Sequence, residues 1–285
     1  MTTATRAVYG GVDTRVLSVP GSGTSVVLLH GYGDSAATWR GLLDQFAIVG
    51  QPALAVDLPG FGEAGPRRPG PFQPQFDSFV DAVLEEHGPA VVVGNSLGAA
   101  TAVRAAARNT ERVKGLVALD DPLSARHWLA RLARRKPVSE RVWSTVGRIR
   151  VPPGAMRRAT GRAMPRFLYG PGCPPDPEIV AHWLRSMGRM SDVATLGRNA
   201  FQYAWEMRAG HAGISVGCPT IVVHGARDAI IPVHSSLVLH RLIPGSRLVV
   251  LPRSGHCPQL DDPGAVARLT MGLLDELARP AADQP

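Results

Sequence analysis

The chain has 285 residues, of which 45% are hydrophobic and 19% are charged, so its composition is that of a globular protein and excludes a disordered or fibrous chain. The net charge is +8, and the three cysteines lack the spacing of a disulfide framework or a metal site. No apolar run reaches the roughly 18 residues of a membrane span, and the N-terminus lacks the apolar core of a signal peptide. The sequence therefore predicts a cytoplasmic protein without a transmembrane segment.

Short apolar segments alternate with helical patterns along the chain, which is typical of a parallel sheet covered on both faces. Two extended segments near Arg6–Gly10 and Arg15–Val19 predict an antiparallel hairpin. Six further strands are predicted at Val26–His30, Ala53–Asp57, Val91–Asn95, Leu116–Asp120, Thr220–His224 and Arg247–Leu251. The best helical patterns are Trp39–Phe46, Gln75–His87, Leu97–Arg108, Ser235–Leu242 and Pro263–Leu277. We therefore predict an α/β fold with one mostly parallel, eight-stranded sheet.

One connection is far longer than the others. About a hundred residues without a strong strand pattern separate Asp120 from Thr220, which predicts an inserted helical cap at 122–218 within a core of 1–121 and 219–285. From Leu123 to Cys218, 16 Lys and Arg residues stand against 5 Asp and Glu residues, a surplus of +11. This surplus indicates either a solvated surface or a surface that meets anions. No nucleic-acid-binding motif accompanies it, so nucleic acid is not an expected partner.

The segment Gly94-Asn95-Ser96-Leu97-Gly98 matches G-x-S-x-G between a predicted strand and a predicted helix. A nucleophilic serine in this position needs a very tight turn, and the two glycines remove side chains that would collide. The alternative is an ordinary turn in which Ser96 caps the helix. The context favours Ser96 as a nucleophile.

A serine hydroxyl needs a base, and the base needs an acid that orients it. His256 follows the last predicted strand and Asp228 follows the strand before it, so both are expected at the same sheet edge as Ser96. We predict Ser96, Asp228 and His256 as the catalytic residues. Asp120 and Asp121 remain alternatives for the acid.

An oxyanion in the reaction needs backbone N–H donors that are already in place. The N–H of Leu97, at the start of the predicted helix, is the first candidate. The loop "HGYGDS" supplies Tyr32 as the second and Gly33 as its alternative, with His30 holding the loop. No metal-binding residues are predicted.

These motifs carry a resemblance to a known superfamily. The chain resembles the α/β-hydrolase superfamily with a helical cap over nearly its whole length, through "HGYGDS", "DLPGFG" at Asp57–Gly62, "GNSLG", "HGARDAIIP" and "SGHCPQLDDP". The resemblance implies the α/β-hydrolase sheet, a Ser-His-Asp triad, an oxyanion hole and no cofactor. It implies a serine hydrolase that cleaves a small-molecule carboxylic ester or thioester through an acyl-enzyme. The basic cap adds an anionic ester as an option, and the sequence leaves the oligomeric state open.

Other branches of the superfamily provide the alternatives. Dehalogenases and epoxide hydrolases place an aspartate at the position of Ser96. Carbon–carbon bond hydrolases of the meta-cleavage-product type often carry "GNS", but they usually have a tryptophan where this chain has Cys257. A ligand-binding receptor or a lyase on the same fold is a more distant alternative.

Aromatic residues of the cap are expected to contact substrate. The candidates are Trp128, Phe201 and Trp205, with Trp183 and Tyr203 as further members of the group. For each of them the alternative is core packing.

Overall fold

The computed structural model describes residues 1–125, 128–135 and 138–279, with all of their side chains except those of 128–130. They form one eight-stranded sheet in the order β1-β2-β4-β3-β5-β6-β7-β8. The strands are β1 (Thr3–Tyr9), β2 (Val12–Val19), β3 (Ser25–Leu29), β4 (Ala53–Val56), β5 (Ala90–Asn95), β6 (Val113–Leu119), β7 (Thr220–Gly225) and β8 (Arg247–Leu251). Strand β2 is antiparallel to β1 and to β4, and the remaining pairs are parallel. The predicted fold class is confirmed.

The helices of the core flank the sheet on both faces. They are α1 (Arg40–Val49), α2 (Phe72–His87), α3 (Leu97–Arg108), α9 (His234–Leu242), α10 (Pro258–Asp261) and α11 (Pro263–Ala278). Helix α2 begins three residues before the predicted Gln75. The reason is tertiary: the N–H of Phe72 donates to the Glu206 carboxylate at 2.7 Å, which satisfies an otherwise unpaired group at the helix start.

The central strands of the sheet are buried on both faces, and successive residues of each strand point to opposite sides. In β3, Val27 and Leu29 pack into the cluster formed with α2 and α3, whereas Val26 and Leu28 pack into the cluster formed with α1 and α11. Full burial of such a side chain contributes roughly 1.5–3 kcal/mol. The central strands therefore fix the sheet edge at which the functional loops begin.

Further helices lie between β6 and β7, in the segment predicted to be a cap, and we call them the cap: α4 (Trp128–Arg135), α5 (Glu140–Gly147), α6 (Pro153–Leu168), α7 (Pro177–Ser186) and α8 (Met190–Glu206). The C-terminal end of α6 is bound to the core, because the N–H of Cys257 donates to the Leu168 carbonyl at 3.0 Å. Within the described residues, no helix combines the length and the apolar character that crossing a membrane requires.

Candidate active site

Ser96 stands at a sharp turn between β5 and α3. Its φ of +54° lies in the left-handed region, where a non-glycine residue is strained by about 1–3 kcal/mol. The turn is tight enough that a Cβ on Gly98 would overlap the Leu29 carbonyl, and a Cβ on Gly94 would overlap the Gly98 carbonyl. The N–H of Ser96 donates to the Leu119 carbonyl at 2.9 Å, which ties the turn to β6. The glycines are therefore required by close backbone contact.

Asp228 and His256 form a hydrogen-bonded pair on neighbouring loops, after β7 and β8. Asp228 Oδ2 lies 2.7 Å from His256 Nδ1, and Asp228 Oδ1 accepts from the N–H groups of Ile230 and Ile231 at 2.7 and 2.9 Å. Burial by itself raises the pKa of Asp228, but His256 and these N–H groups outweigh it and hold the pKa below its ordinary value. Because an ionised carboxylate only accepts, His256 Nδ1 donates and Nε2 is left to act as a base.

Asn95, the residue before Ser96, joins the turn between β5 and α3 to the loop that carries His256. Asn95 Nδ2 donates to the His256 carbonyl at 2.9 Å, and Asn95 Oδ1 accepts from Gln259 Nε2 at 3.3 Å. Ser96 and His256 are only 8% and 5% exposed. Among the described residues no hydrogen bond joins Ser96 Oγ to His256, and such bonds are often long or absent before substrate binds.

The alternative acids have other partners. Asp120 is fully buried, and its Oδ1 accepts from the N–H of Gly225 at 2.9 Å. Asp121 Oδ2 lies 2.9 Å from His211 Nε2. The structure therefore brings Asp228, and neither of the other two carboxylates, into contact with His256.

Asp120 is nevertheless close to this pair, a relationship that the sequence did not reveal. Burial, followed by the charge of Asp228, raises the pKa of Asp120 well above its ordinary value. His224 lies between them, with Nδ1 3.3 Å from Asp120 and Nε2 4.0 Å from Asp228. The charge of the neighbouring Asp228 carboxylate thus disfavours ionisation of the buried Asp120 carboxyl group. The only signal in the sequence was the shared strand-end position of the two aspartates.

Asp120, His224 and Asp228 are also the described residues that come closest to a metal-binding group, since one ligand atom of each lies within 4.8 Å of the others. The Nε2 of His224 contacts the Ile231 carbonyl at 3.1 Å. A carbonyl oxygen only accepts, so this nitrogen carries a proton and is not available to a metal. The Nδ1 of His224 lies 2.8 Å from the Ser236 hydroxyl, so both ring nitrogens have hydrogen-bond partners. The arrangement fits a hydrogen-bonded network.

The predicted oxyanion donor Tyr32 lies in a turn at Gly31–Asp34, which we call the oxyanion turn. A 3.3 Å bond from the Asp34 N–H to the Gly31 carbonyl closes this turn. Gly33 has a φ of +74°, as the third position of a type II turn requires. A Cβ on Gly31 would lie 3.5 Å from the Cβ of Ser96, so this loop borders the serine. The N–H of Tyr32 therefore belongs to a turn next to Ser96, and the N–H of Leu97, first residue of α3, has no intrahelical acceptor.

His30 fixes the first peptide of that turn. Its Nδ1 lies 2.7 Å from the Gly31 carbonyl, and its Nε2 accepts from the N–H of Leu58 at 2.9 Å. These partners require a proton on Nδ1 and none on Nε2, and burial lowers the pKa of His30, which favours this neutral form. His30 therefore acts as a brace inside the protein.

The "DLPGFG" motif also has a structural explanation. The buried Asp57 carboxylate accepts from the N–H groups of Ala36 and Glu63 at 2.6 and 2.9 Å and pairs with Arg15 Nε at 2.9 Å. A Cβ on Gly62 would overlap this carboxylate. Through Ala36, the motif thus holds the segment that follows the oxyanion turn.

The predicted aromatic contacts of the cap are placed differently from one another. Phe201 and Trp205 line a groove of about 450 Å³ together with Trp143, and neither Ser96 nor His256 belongs to its lining. The side chain of Trp128 lies outside the described residues. Their contact with substrate stays a prediction.

The opposite face of α8 points toward the core beside the site. Tyr203 and Met207 are buried in the hydrophobic cluster that contains Leu97. Tyr203 is one of the aromatic residues predicted to contact substrate, whereas Met207, the residue after the end of α8, is not among the predicted residues. The i, i+4 spacing of these two residues was the available signal.

The family model described as "Alpha/beta hydrolase family" matches residues 26–269. A "Pimeloyl-[acyl-carrier protein] methyl ester esterase" of Neisseria meningitidis is 31% identical over 269 residues, which cover 91% of this chain and 80% of that protein. An esterase of Mycobacterium tuberculosis is 29% identical, with coverage of 90% and 84%. Among solved structures, a 2-hydroxy-6-oxo-6-phenylhexa-2,4-dienoate hydrolase of a Rhodococcus strain shares the fold at a TM-score of 0.73 and 24% identity, covering 96% of this chain and 99% of that one. The chain is therefore a hydrolase that belongs to the alpha/beta hydrolase family.

Proposed function

We propose that the protein is a serine esterase that works through an acyl-enzyme, with Ser96 as nucleophile, His256 as base and Asp228 as the acid that orients the base. The observation that carries this proposal is the 2.7 Å bond between Asp228 Oδ2 and His256 Nδ1. In the neutral imidazole this bond keeps the proton on Nδ1, so that Nε2 is the nitrogen that can accept a proton. The esterase names of the two sequence relatives support a carboxylic ester as substrate.

The chemistry follows from these positions. Ser96 Oγ attacks the carbonyl carbon while His256 Nε2 takes the hydroxyl proton, and the oxyanion accepts hydrogen bonds from the N–H groups of Tyr32 and Leu97. Collapse of the intermediate breaks the ester C–O bond, and His256 gives its proton to the leaving alcohol. Water then attacks the acyl-enzyme with His256 again as base, which releases the carboxylic acid and restores Ser96.

The charge of the cap suggests an ester that carries an anionic group. Between residues 141 and 175 the chain has no Asp or Glu. Helix α6 presents exposed arginines, which we call the α6 arginines: Arg157, Arg158, Arg162 and Arg166. Within the described part of the chain none of them forms an ion pair. Their helix ends at Leu168, which is bonded to the residue after His256, so the C-terminal end of this positive helix lies next to the loop that carries His256.

A carbon–carbon bond hydrolase is the second candidate, because the segment Gly94–Ser96 reads "GNS" as it often does in those enzymes. Cys257 occupies the position after the histidine, and it is buried with its Sγ 3.6 Å from Asn95 Oδ1. A tryptophan could not take this place without displacing Leu168, Tyr169 or the other residues packed around it. The cysteine in place of that tryptophan, together with the esterase relatives, favours the esterase.

The test is a substrate panel of neutral esters, anionic esters, thioesters and a meta-cleavage product, measured with wild type and Ser96→Ala. We expect ester hydrolysis that falls by about 10⁴-fold in Ser96→Ala. A fluorophosphonate should label wild type and the control Ser144→Ala, but not Ser96→Ala. Faster turnover of the ring-cleavage product than of any ester would assign the second function. Labelling that persists in Ser96→Ala would show that another residue is the nucleophile.

A further inference from the structure

The cap contacts the oxyanion turn directly, through two of its helices. From α8, the Leu196 carbonyl accepts a bond of 2.6 Å from the Tyr32 hydroxyl. From α7, His182 Nε2 lies 2.8 Å from the Gly33 carbonyl, and the ring of Trp183 covers Gly33 so closely that a Cβ there would come within 2.8 Å of it. The turn that holds the Tyr32 N–H is therefore bounded by the cap as well as by the core.

The bond from His182 has a defined direction. The Gly33 carbonyl only accepts, so His182 Nε2 carries the proton and donates. Ser186, one turn further along α7, binds the His182 carbonyl at 3.0 Å and lies 3.5 Å from the same ring nitrogen. The short bond to Gly33 is thus the principal partner of this nitrogen.

Each of the two residues that flank Tyr32 has its backbone carbonyl bound by a histidine ring, one from the core and one from the cap. His30 of the core binds the Gly31 carbonyl at 2.7 Å, and His182 of the cap binds the Gly33 carbonyl at 2.8 Å. The bond that closes the turn itself, from Asp34 to Gly31, is 3.3 Å and therefore weak. The hydrogen bonds from His30 and His182 therefore contribute much of what holds this turn in one conformation.

We propose that His182 is a positioning residue that couples the cap to the oxyanion hole. It holds the carbonyl of the peptide between Gly33 and Asp34. In this way it keeps the turn in the conformation in which the N–H of Tyr32 points to the place where negative charge develops. It does so only while α7 packs on the turn. This inference rests on the proposed acyl-transfer function. A donor that is present but poorly aimed is worth less than one in place, so the loss should be clearly smaller than the roughly 10²–10³-fold of a deleted donor.

The experiment compares His182→Gln, His182→Asn and His182→Leu. The glutamine amide reaches the position of Nε2 and can donate to Gly33, whereas the asparagine amide is too short and leucine has no donor. We expect kcat for a neutral ester to fall about tenfold in the Asn and Leu variants, with KM within about twofold, and to be largely restored in the Gln variant. Thermal melting monitors folding, and if the Leu variant does not fold, the Asn and Gln pair still decides.

Two results would overturn the proposal: unchanged kcat in the Asn variant, or a rise in KM with kcat intact, which would make His182 a substrate contact. Amide hydrogen exchange of Tyr32–Asp34 gives a readout that does not depend on turnover. Faster exchange in the Asn variant than in the Gln variant supports the positioning role of His182, and equal exchange refutes it. If wild type itself hydrolyses no ester, the proposed function fails, and exchange alone tests the position of the turn.

Discussion

Asn95 Nδ2 donates a hydrogen bond of 2.9 Å to the backbone carbonyl of His256, so the residue before Ser96 is joined to the loop that carries His256. The two residues are 161 positions apart in the chain. Asn95 is 1% exposed, so its amide has no access to water as an alternative partner. This bond gives a direct test of how the site is assembled.

Replacing Asn95 with alanine should lower both stability and activity. The His256 carbonyl and the Gln259 amide would lose a buried partner, which costs about 1–3 kcal/mol in the free energy of unfolding. We expect kcat for an ester to fall as well, because the imidazole is no longer held relative to Ser96. The matched control is Asn109→Ala at the end of α3, where Asn109 binds Asp81 at 2.7 Å away from the site. Equal kcat losses in the two variants, measured alongside urea unfolding, would argue against a local effect of Asn95.

Asp228→Asn should reduce turnover by up to about 10⁴-fold, since the imidazole loses the carboxylate that orients it. Asp120→Asn should have a much smaller effect, because His256 is bonded to Asp228 and an amide oxygen at position 120 can still accept from the N–H of Gly225. Steady-state kinetics of both variants on one ester decide the matter. A crippled Asp120→Asn enzyme with a working Asp228→Asn enzyme would reverse the assignment of the acid.

Gly98→Ala should destabilise the fold by more than about 3 kcal/mol, because the added Cβ would overlap the Leu29 carbonyl and backbone cannot move aside cheaply. Gly272→Ala in α11 is the control, since nothing lies within 4 Å of the added Cβ. That change should raise stability by up to about 1 kcal/mol, the helix propensity difference. Chemical unfolding curves give both values, and a Gly98→Ala protein as stable as wild type would disprove the close contact.

Salt dependence should reveal whether the α6 arginines guide anionic esters. Exposed charges are screened over about 8 Å at physiological ionic strength, so kcat/KM for an anionic ester should fall as salt rises while kcat changes little. A neutral short-chain ester should be nearly indifferent. Equal responses of the two substrates would leave the +11 surplus as surface composition.

The location of the charge can be tested with two triple variants. The first variant removes the three positive charges on one face of α6, at positions i, i+4 and i+8, by Arg158→Gln, Arg162→Gln and Arg166→Gln. Arg241→Gln, Arg268→Gln and Arg279→Gln remove the same charge from exposed positions of the core. Only the first set should weaken the salt dependence for the anionic ester. The same loss in both sets would indicate an effect of net charge.

The sequence by itself determined the elements and their order. Strand β8 and helix α3 occupy the predicted bounds, and the other predicted core elements lie within a few residues of theirs. These features depend on local chemistry, since alternation of apolar residues and glycine at a tight turn act within a few positions of the chain. The same local signals placed Ser96, Asp228 and His256 on loops at one edge, because the carboxyl ends of parallel strands share that edge.

Only the tertiary structure decided which of these residues touch. Asp120 and Asp228 both follow central strands, yet the bond to His256 belongs to Asp228 because the loop after β7 turns its side chain toward β8. The bonds from Asn95 to His256 and from His182 to Gly33 join residues 161 and 149 positions apart. Likewise Tyr203 faces the core, whereas Phe201 faces the groove that it lines with Trp143 and Trp205. The packing of α8 on α2 and α5 determines these two orientations. Packing of distant segments sets such contacts, and no local pattern encodes them.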